Sequence, residues 1–426
     1  MKTIRPLLLA LVLPLAACQS PLPASPGAAS VAPAPASAPA ATATPAPTPT
    51  PAPAAPPPIR PYDEAVLAAA NQLFGAAPTP AGATPLLIDP LIDGVTGAQT
   101  RATQDLGERL TDLVKKRYPH YQVQRFSAAN VQRAPVVLIG TLTGVNAQRQ
   151  TAGERSAYRI CLALIDLKTG RILSKGLAFA DPKGVDPTPL LYFQDSPAST
   201  DDPATLGYIR TCQGTKAGEP INPMYVDRVL AAAQIAEGIE AYNARRYADA
   251  LALYEAAARN PAGGQLRVYN GLYLANARLG RRAAADEAFA QLVSYSLDQK
   301  RLAVKFLFRP GTASFVSDPA IAGPYPDWLR QIARQTVRAS VCLEVVGHTS
   351  ATGAAAINER LSLLRAEEVK RRLEAESPAL AGRLLARGAG SSDMKVGNGR
   401  DDASDALDRR VEFVVLDCGA IGGRRA

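Results

Sequence analysis

The chain has 426 residues, of which 47% are hydrophobic and 20% charged, enough for two to four folded domains. Lys and Arg outnumber Asp and Glu by 47 to 38, but the basic residues are spread along helical stretches such as Lys370-Arg371-Arg372. They are not gathered with aromatic residues, which argues against a nucleic-acid-binding protein. The charge supports no more than a mild attraction to anionic glycans or lipid head groups.

The first residues have the pattern of an export signal. Lys2 and Arg5 precede an apolar run, Leu7 to Leu15, that is too short to span a bilayer. The small residues before Cys18 would suit an ordinary secretory cleavage site, but Leu-Ala-Ala followed by Cys resembles a bacterial lipoprotein box. The resemblance implies a signal peptide over 1–17, an acylated Cys18 and, because Gln19 follows, an outer-membrane location. No later stretch is long and apolar enough to be transmembrane, so we expect a lipid anchor.

Residues 18–60 are almost entirely Ala, Pro, Thr and Ser after the cysteine. Such a segment cannot bury a core and stays extended. At about 3.1 Å per residue, about 40 residues reach on the order of 100 Å. Directly after a lipid site, this favours a semi-rigid spacer over a tail without function.

The region 61–222 is predicted to be an α/β domain. Hydrophobic spacing predicts helices and strands in the order helix 63–73, strand 86–92, helix 100–116, and strands 136–142, 158–167 and 172–179. Lys168-Thr169-Gly170 indicates a hairpin between the last two strands, so the domain contains an antiparallel meander. The pattern is similar to that of lipoprotein domains that regulate cell-wall synthases or build secretion channels.

Asp181 to Pro223 is rich in Pro, Asp and Ser. Its acids, including Asp201 and Asp202, invite comparison with a cation site, but they lack the central Gly and terminal Glu of a calcium loop. We therefore expect a solvated loop.

Residues 223–298 show self-similarity at about 35 positions, close to the tetratricopeptide period of about 34. The residues that mark the two copies are Gly238, Tyr247, Ala250, Tyr254 and Ala257, then Tyr273, Gly280, Ala285, Phe289 and Leu292. Small residues where helices cross, with aromatic residues filling the gap, resemble tetratricopeptide repeats. Two copies fall below the three usually needed for a free-standing solenoid, so we expect them to pack on a neighbouring domain. They serve either as a partner-binding surface or as a structural spacer.

The stretch Cys342 to Arg365 reads as a strand, a polar turn and a helix. The strand ends at Gly347, and Ile357, Leu361 and Leu364 recur at helical spacing after the turn. Asn358 and Arg365 are seven positions apart and point the same way. Such a unit is either a ligand site or an ordinary strand–helix pair with a solvated helix face.

The residues of this stretch, continued to the end of the chain, resemble the OmpA-like peptidoglycan-binding domain. The resemblance covers roughly Val304 to Asp417, about a quarter of the chain. The matching positions are Gly347-His348-Thr349, Gly353, Asn358, Leu361-Ser362, Arg365-Ala366, Gly388-Ala389-Gly390 and Asp408-Arg409-Arg410-Val411-Glu412-Phe413.

In that family the helical Arg pairs with a carboxylate of diaminopimelate in the stem peptide, and an acid after Gly-His-Thr receives its ammonium group. The resemblance therefore implies a peptidoglycan site, with Arg365 as the carboxylate anchor. Its members are Thr349, Ser350, Asn358, Arg365 and Arg409. Two positions depart from the family, since Ser350 replaces the acid and Asp408 stands where Asn is usual. The ammonium contact is thereby missing, unless Glu359 or Asp393 supplies it.

Four further cysteines, in an exported protein, predict two disulfides with three possible connectivities. We favour Cys342–Cys418 and Cys161–Cys212. Cys342 starts one strand and Cys418 follows the last one, so antiparallel strands would bring them together.

We expect no enzyme, no catalytic residue, no cofactor and no metal site, because no nucleophile elbow, zinc helix or phosphate loop occurs. His348 is expected to hold the turn by hydrogen bonds. The fold class is α+β and multidomain: the α/β domain with its meander, the tetratricopeptide-like helices, and an OmpA-like βαβαβ domain over 299–420. The predicted protein tethers the outer membrane to peptidoglycan and offers its helices to an envelope protein. The alternative is an envelope scaffold that has lost peptidoglycan binding.

Overall fold

The computed structural model describes residues 57–80, 82–151, 153–395 and 408–422. The predicted signal peptide, the lipidated Cys18 and nearly all of the spacer lie outside these residues. The described strands are β1 Ile59–Arg60, β2 Thr84–Ile88, β3 Ile92–Asp93, β4 Tyr121–Gln124, β5 Val136–Val145, β6 Ala157–Asp166, β7 Arg171–Ala180, β8 Arg301–Val304, β9 Cys342–Gly347, β10 Leu384–Gly388 and β11 Val411–Leu416. The described helices are α1 Tyr62–Ala76, α2 Arg101–Arg117, α3 Ala128–Val131, α4 Leu191–Asp195, α5 Pro203–Gln213, α6 Pro223–Val226, α7 Val229–Asn243, α8 Tyr247–Arg259, α9 Leu266–Arg278, α10 Arg282–Asp298, α11 Pro319–Ala322, α12 Tyr325–Arg338, α13 Ala355–Glu376 and α14 Gly419–Gly422.

The first sheet has the strand order β1-β7-β6-β5-β2-β4, and β3 pairs with β5. Strands β5, β6 and β7 form the antiparallel meander that the sequence predicts, with Leu138 opposite Leu164. The remaining strand pairs are parallel, including the pair of β2 with β4. Strand β4 was not predicted from the sequence because it is only four residues long. Both faces of β5 are covered: Leu138 packs with α1 and α2, whereas Val137 and Ile139 lie in a second cluster.

The segment predicted to be a solvated loop is instead folded and largely buried. Asp202 caps α5 by accepting a hydrogen bond from the amide of Thr205, and Pro203 opens the helix. Tyr208 on α5 is 4% exposed, and its hydroxyl bonds the backbone of Gly140 on β5 at 2.9 and 3.1 Å. The prediction was wrong because Asp202 and Pro203 begin a helix here, and because Tyr208 on that helix packs against the sheet.

Helices α7 to α10 occupy the region predicted to be helical and pack in sequence, α7 on α8, α8 on α9 and α9 on α10. The ring of Tyr254 on α8 lies between Gly238 and Gly271. A Cβ at either glycine would come within 2.7 and 2.5 Å of that ring, respectively. The interhelical contact therefore requires glycine at both positions. Assignment of these helices to the tetratricopeptide family stays a prediction.

These helices and the C-terminal sheet share one hydrophobic core, which includes Tyr254, Phe289, Trp328 and Phe413. Trp328 on α12 stacks on Phe289 and donates its indole N–H to the hydroxyl of Tyr273 at 2.8 Å. The expectation that the helices pack on a neighbouring region therefore agrees with this core, while the domain boundaries themselves stay predictions.

The C-terminal sheet has the order β10-β9-β11-β8. β9 and β10 are parallel, and β11 runs antiparallel to both β9 and β8. The observed order is βαβαββ, one strand more than the predicted βαβαβ. The described residues are thus a mixture of helices and sheets. No described helix has the length and hydrophobicity needed to cross a membrane.

Of the two predicted disulfides, the structure contains Cys342–Cys418. Cys342 lies opposite Leu416 in the pairing of β9 with β11, which brings Cys418 to the same end of the sheet. Cys161 and Cys212 are buried free thiols, although their sulfur atoms lie 2.6 Å apart. A bond between them is absent from this structure and stays a prediction.

Candidate functional site

The first half of helix α13 buries polar side chains, and the second half buries the apolar Ala366, Val369 and Leu373. Asn358, Ser362 and Arg365 are buried, whereas Ile357 is 65% exposed and Leu364 is 43% exposed. The apolar residues whose spacing indicated the helix therefore do not form its buried side. The helix approaches β9 closely at Gly347, where a Cβ would come within 2.1 Å of the carbonyl oxygen of Ser362. Glycine at the end of the strand is what permits this contact.

Asn358 holds the polar turn that follows β9. Its side-chain amide donates to the carbonyl oxygens of Ser350 at 3.4 Å and Thr352 at 3.1 Å. The hydroxyls of Ser350 and Thr352 lie 3.1 Å apart, and Thr349 anchors the turn by donating its backbone N–H to Gly390 at 2.9 Å. Asn358 therefore shapes the turn, a role the sequence analysis did not assign to it.

The hydroxyl of Thr349 is buried and has no hydrogen-bond partner in the structure. A buried polar group without a partner is costly. The hydroxyls of this turn are neutral, and each can donate or accept. The turn therefore offers neutral hydrogen-bonding groups in place of a carboxylate.

Arg365 lies two turns along α13 from Asn358 and is 4% exposed. Its Nε donates to the carbonyl oxygen of Thr312 at 3.1 Å, and its guanidinium lies 4.9 Å from the centre of the Phe308 ring. None of the described carboxylates pairs with it. Burial, with a smaller contribution from the charge of Arg409, lowers the pKa of Arg365 to about 10. Arg365 remains a cation at neutral pH and is held by neutral groups.

Arg409 and Asp408 lie where the chain enters β11. Arg409 is half-buried, and Asp408 is fully buried and accepts a hydrogen bond from the backbone N–H of Lys395. The structure therefore places Arg409 near Arg365. Asp408 links the start of β11 to the chain at Lys395. Of the predicted members of the site, Ser350, Thr349 and Asn358 form one group, whereas Arg365 has its contacts with the 309–314 turn.

A second charged group, beside the turn, was not assigned a role by the sequence analysis. Glu412 accepts from Arg410 at 2.6 Å and from Arg301 at 2.7 and 3.0 Å, and Arg410 also donates to Asp393 at 2.8 Å. Burial alone would raise the pKa of Glu412, but the hydrogen bonds from Arg301 and the charge of Arg410 outweigh it and lower the pKa to about 2. Arg301 and Glu412 are 111 positions apart, so no local pattern signals their pairing.

His348 lies beside this network without joining it. Neither ring nitrogen has a hydrogen-bond partner, and Nε2 lies 3.9 Å from Glu412. His348 was expected to hold the turn by hydrogen bonds: its backbone N–H does donate to the carbonyl oxygen of Arg410 at 3.0 Å, but its ring makes none, and the side-chain hydrogen bonds to the turn come from Asn358. Burial, reinforced by the charge of Arg410, lowers the pKa of His348 to about 4. The ring is neutral at pH 7.

His348, Asp393 and Glu412 have potential metal-ligand atoms within 4.8 Å of one another. Metal ligation would require both carboxylates to release Arg410, and Glu412 to release Arg301 as well. A divalent ion would also enter a cluster that already contains these two cations. We therefore interpret the cluster as an ion-pair network that fixes β11 against β8 and the turn before residue 395.

Replacing His348 is expected to remove part of the acid sensitivity of folding. Its pKa lies below the ordinary value of 6.5, so the unfolded chain binds more protons between pH 6.5 and 4, and stability falls as pH falls through that window. The contribution is at most about 3 kcal/mol at 1.36 kcal/mol per unit. Urea unfolding of the parent and of His348→Asn from pH 7 to pH 4 measures this contribution. The free energy of unfolding of the parent minus that of His348→Asn should fall as the pH is lowered.

His120→Asn is the matched control, since His120 and His348 are the two histidines of the chain. Buried Asp89 changes the pH dependence of stability in the opposite direction. Burial raises its pKa to about 7, although the hydrogen bond from Tyr225 lowers it in part. It is present in parent and variants and cancels in the difference. A constant gap between parent and His348→Asn across this range would contradict the assignment.

No protein-family model matches the chain, and no curated protein matches it significantly. Solved structures that resemble part of it include the peptidoglycan-associated lipoprotein from Burkholderia pseudomallei, at 27% identity over 27% of this chain and 89% of that chain, with a TM-score of 0.22. The cell wall anchor of the T6SS from Pseudomonas aeruginosa matches at 27% identity over 27% of this chain and 80% of that chain, with a TM-score of 0.23. An outer membrane protein from Borrelia burgdorferi B31 matches at 20% identity over 28% of this chain and 88% of that chain, with a TM-score of 0.21. At these TM-scores the matches do not establish a family for the chain.

Proposed function

We propose that this chain is an outer-membrane lipoprotein that tethers the membrane to peptidoglycan. The observation that carries the proposal is the environment of Arg365, a buried guanidinium held by the carbonyl of Thr312 and the ring of Phe308. No carboxylate of the described residues pairs with this guanidinium; burying a cation is costly where no counter-charge is present, and a ligand carboxylate would reduce that cost. The sequence resemblance supplies a candidate for the carboxylate, diaminopimelate in the stem peptide.

In this proposal Arg365 pairs with the carboxylate through two parallel charge-assisted hydrogen bonds, which its planar guanidinium favours. The hydroxyls of Thr349 and Ser350 accept or donate neutral hydrogen bonds, and Asn358 keeps their turn in place. Arg409 adds positive charge near the anchor. The helices over 223–298 present a surface to an envelope protein.

Exchanging Ser350 for an acid tests the site directly. We expect Ser350→Asp to strengthen binding to isolated sacculi about tenfold. A hydrogen bond to a charged group contributes about 1.5–3 kcal/mol net, against about 0.5–1.5 for a neutral one, and 1.4 kcal/mol corresponds to a factor of ten. Ser350→Asn, similar in shape but neutral, is the control and should leave affinity within a few-fold of the parent. Cosedimentation with purified sacculi measures all three proteins.

The second candidate, an envelope scaffold that no longer binds peptidoglycan, is favoured by one observation. Ile357, Leu363 and Leu364 on α13 expose apolar side chains next to the candidate site, where a protein partner could cover them. Failure of both the parent and Ser350→Asp to sediment with sacculi would remove the tether proposal and leave the scaffold.

The lipid anchor has its own test. If Cys18 is acylated, Cys18→Ser is expected to abolish metabolic palmitate labelling and to release the exported chain from membranes. Fractionation of cells that express the parent and the variant shows the difference. Membrane association that persists in Cys18→Ser would contradict the lipoprotein part of the proposal.

A further inference from the structure

A cavity of about 770 Å³ lies at the carboxyl ends of the parallel strands β2 and β4. The chain continues from β2 into α2 and from β4 into α3, and these helices cover opposite faces of the sheet. Leu106 of α2 packs with Leu138, whereas Val131 of α3 packs with Val137. Ligands of open α/β sheets bind in such a crevice. The volume is also within the range of about 300–1,000 Å³ that is usual for small-molecule sites.

The cavity has an apolar floor and a charged rim. Its apolar lining residues are buried or half-buried and include Leu91, Phe126, Ile88 and Leu190. Its charged lining residues are exposed and are Arg101, Glu108, Arg125, Glu240 and Arg245. Glu240 accepts a hydrogen bond from Arg125 at 2.8 Å, and Glu108 accepts one from Gln104 at 3.0 Å. This lining suits a ligand that has an apolar body and a charged end.

Gly107 on α2 lines the cavity at a position where glycine weakens the helix. Glycine in a helix interior destabilises a protein relative to alanine. The nearest atom to a Cβ at position 107 would be Cδ1 of Leu91, at 3.8 Å, which is an ordinary contact. The packing described at this position therefore accommodates a side chain, in contrast to the close contacts at Gly238 and Gly271. What glycine provides at position 107 is room in the cavity.

Arg245 is the opposite case, a large residue at a position that favours glycine. It follows α7 with a φ of 60°, in the left-handed region where a helix usually ends with glycine. The second helical copy has Gly280 at the corresponding position after α9, with a φ of 72°. The backbone N–H groups of these two residues donate in the same way, to Tyr242 and Ala277 respectively. In the first copy an arginine takes this position, and its side chain lines the cavity.

We infer that the cavity binds a small organic anion with an apolar body, whose charged end pairs with Arg245. Gly107 and Arg245 both run against the preference of the local backbone, and both line this cavity. Such departures are expected where a binding site determines the residue. A guanidinium donates charge-assisted hydrogen bonds to a carboxylate or a phosphate, and the apolar body would cover Leu91 and Phe126. The site shares no lining residue with the one proposed for peptidoglycan.

Calorimetric titration with dodecanoate tests the inference, and dodecyltrimethylammonium, which has the same chain and the opposite charge, is the comparison. The full mature chain carrying Cys18→Ser is used, because without a lipid it needs no detergent that would compete for the cavity. Dodecanoate is expected to bind about tenfold more tightly than the ammonium. Dodecyl phosphate in a parallel titration distinguishes phosphate from carboxylate as the preferred anion, and tighter binding of either one than of the ammonium supports the inference.

Arg245→Gly introduces the residue of the second copy and is expected to weaken dodecanoate binding about tenfold. Lys300→Gly is the matched control, since Lys300 also follows a helix with a left-handed φ, of 63°, and lies outside the cavity. It should bind dodecanoate as the parent does.

Gly107→Leu is expected to fill the cavity and to abolish dodecanoate binding. Gly75→Leu is its matched control, because Gly75 lies on α1, where no atom comes within 4 Å of an added Cβ. Gly107→Ala should unfold at a higher urea concentration than the parent and bind dodecanoate more weakly. It decides the outcome if Gly107→Leu does not fold.

Equal or tighter binding of dodecyltrimethylammonium by the parent would overturn the inference, because the charged end would not be recognised as an anion. Dodecanoate binding that is unchanged in Arg245→Gly and in the Gly107 variants would overturn it as well, since the ligand would then lie elsewhere. A parent that binds neither dodecanoate nor dodecyl phosphate would also contradict it.

Discussion

Arg365→Ala is expected to abolish binding to isolated sacculi. The substitution removes two hydrogen bonds from a charged donor, each worth about 1.5–3 kcal/mol net, so affinity should fall by about two decades or more at 1.4 kcal/mol per decade. Arg365→Lys keeps the charge but loses the planar fork, and we expect it to bind with an intermediate affinity. Quantitative cosedimentation across a range of sacculus concentrations measures the series.

Arg360→Ala is the matched control for this experiment. Arg360 lies on the same helix and is exposed, so its removal makes the same change in net charge without touching the buried face. Because Arg365 also lies against Phe308, the urea unfolding of Arg365→Ala must be compared with that of the parent. A stably folded Arg365→Ala protein that sediments as well as Arg360→Ala would show that Arg365 is not the anchor.

The elements that the sequence predicts well are those whose signals are local. The capping box of Thr100 and Thr103 begins α2, and the long apolar runs of β5, β6 and β7 form the expected meander. The helices α7 to α10 follow from their periodicity. In each case a stretch of about ten or more residues carries the pattern, and its packing partners are neighbours in sequence.

The face of α13 could not be predicted in the same way. Periodicity identifies the helix through Ile357 and Leu364, which are exposed, while the first half of its buried face consists of the polar Asn358, Ser362 and Arg365, and only the second half is apolar, with Ala366, Val369 and Leu373. That face is covered by chain segments 28 and 53 positions away, through the bond of Ser362 to Gly390 and of Arg365 to Thr312. The spacing of hydrophobic residues shows which positions are apolar. It does not show which loops, distant in sequence, make hydrogen bonds to buried polar side chains.

The ion-pair network was missed for a related reason. Glu412 and Arg410 belong to the stretch whose resemblance to a family was noted, but their partner Arg301 lies on β8, at the far end of the region. The antiparallel pairing of β11 with β8 brings them together, with Glu412 opposite Ala303. Such a pairing follows from the strand order, which the sequence alone did not provide.

Removing the Cys342–Cys418 disulfide is expected to lower the free energy of unfolding by about 4 kcal/mol. The bond closes a loop of 76 residues, and in the chain-entropy model a loop of that length restricts the unfolded chain by about that amount. Urea unfolding of the oxidised parent and of the Cys342→Ala/Cys418→Ala double variant measures the effect. Truncating Cys342, which is 1% exposed, adds a small packing cost in the same direction.

Cys161 and Cys212 require a separate control experiment, because a reductant would also break any disulfide between them. The Cys161→Ala/Cys212→Ala variant isolates the first pair: its stability should fall on reduction by the same amount that separates the parent from Cys342→Ala/Cys418→Ala. Peptide mapping without reductant identifies which cysteines are joined in each protein. If the oxidised parent and Cys342→Ala/Cys418→Ala unfold at the same urea concentration, the bond does not constrain the unfolded chain. If mapping instead joins Cys342 to Cys161 or Cys212, the pairing of β9 with β11 cannot be as described, because that pairing places Cys342 beside Cys418.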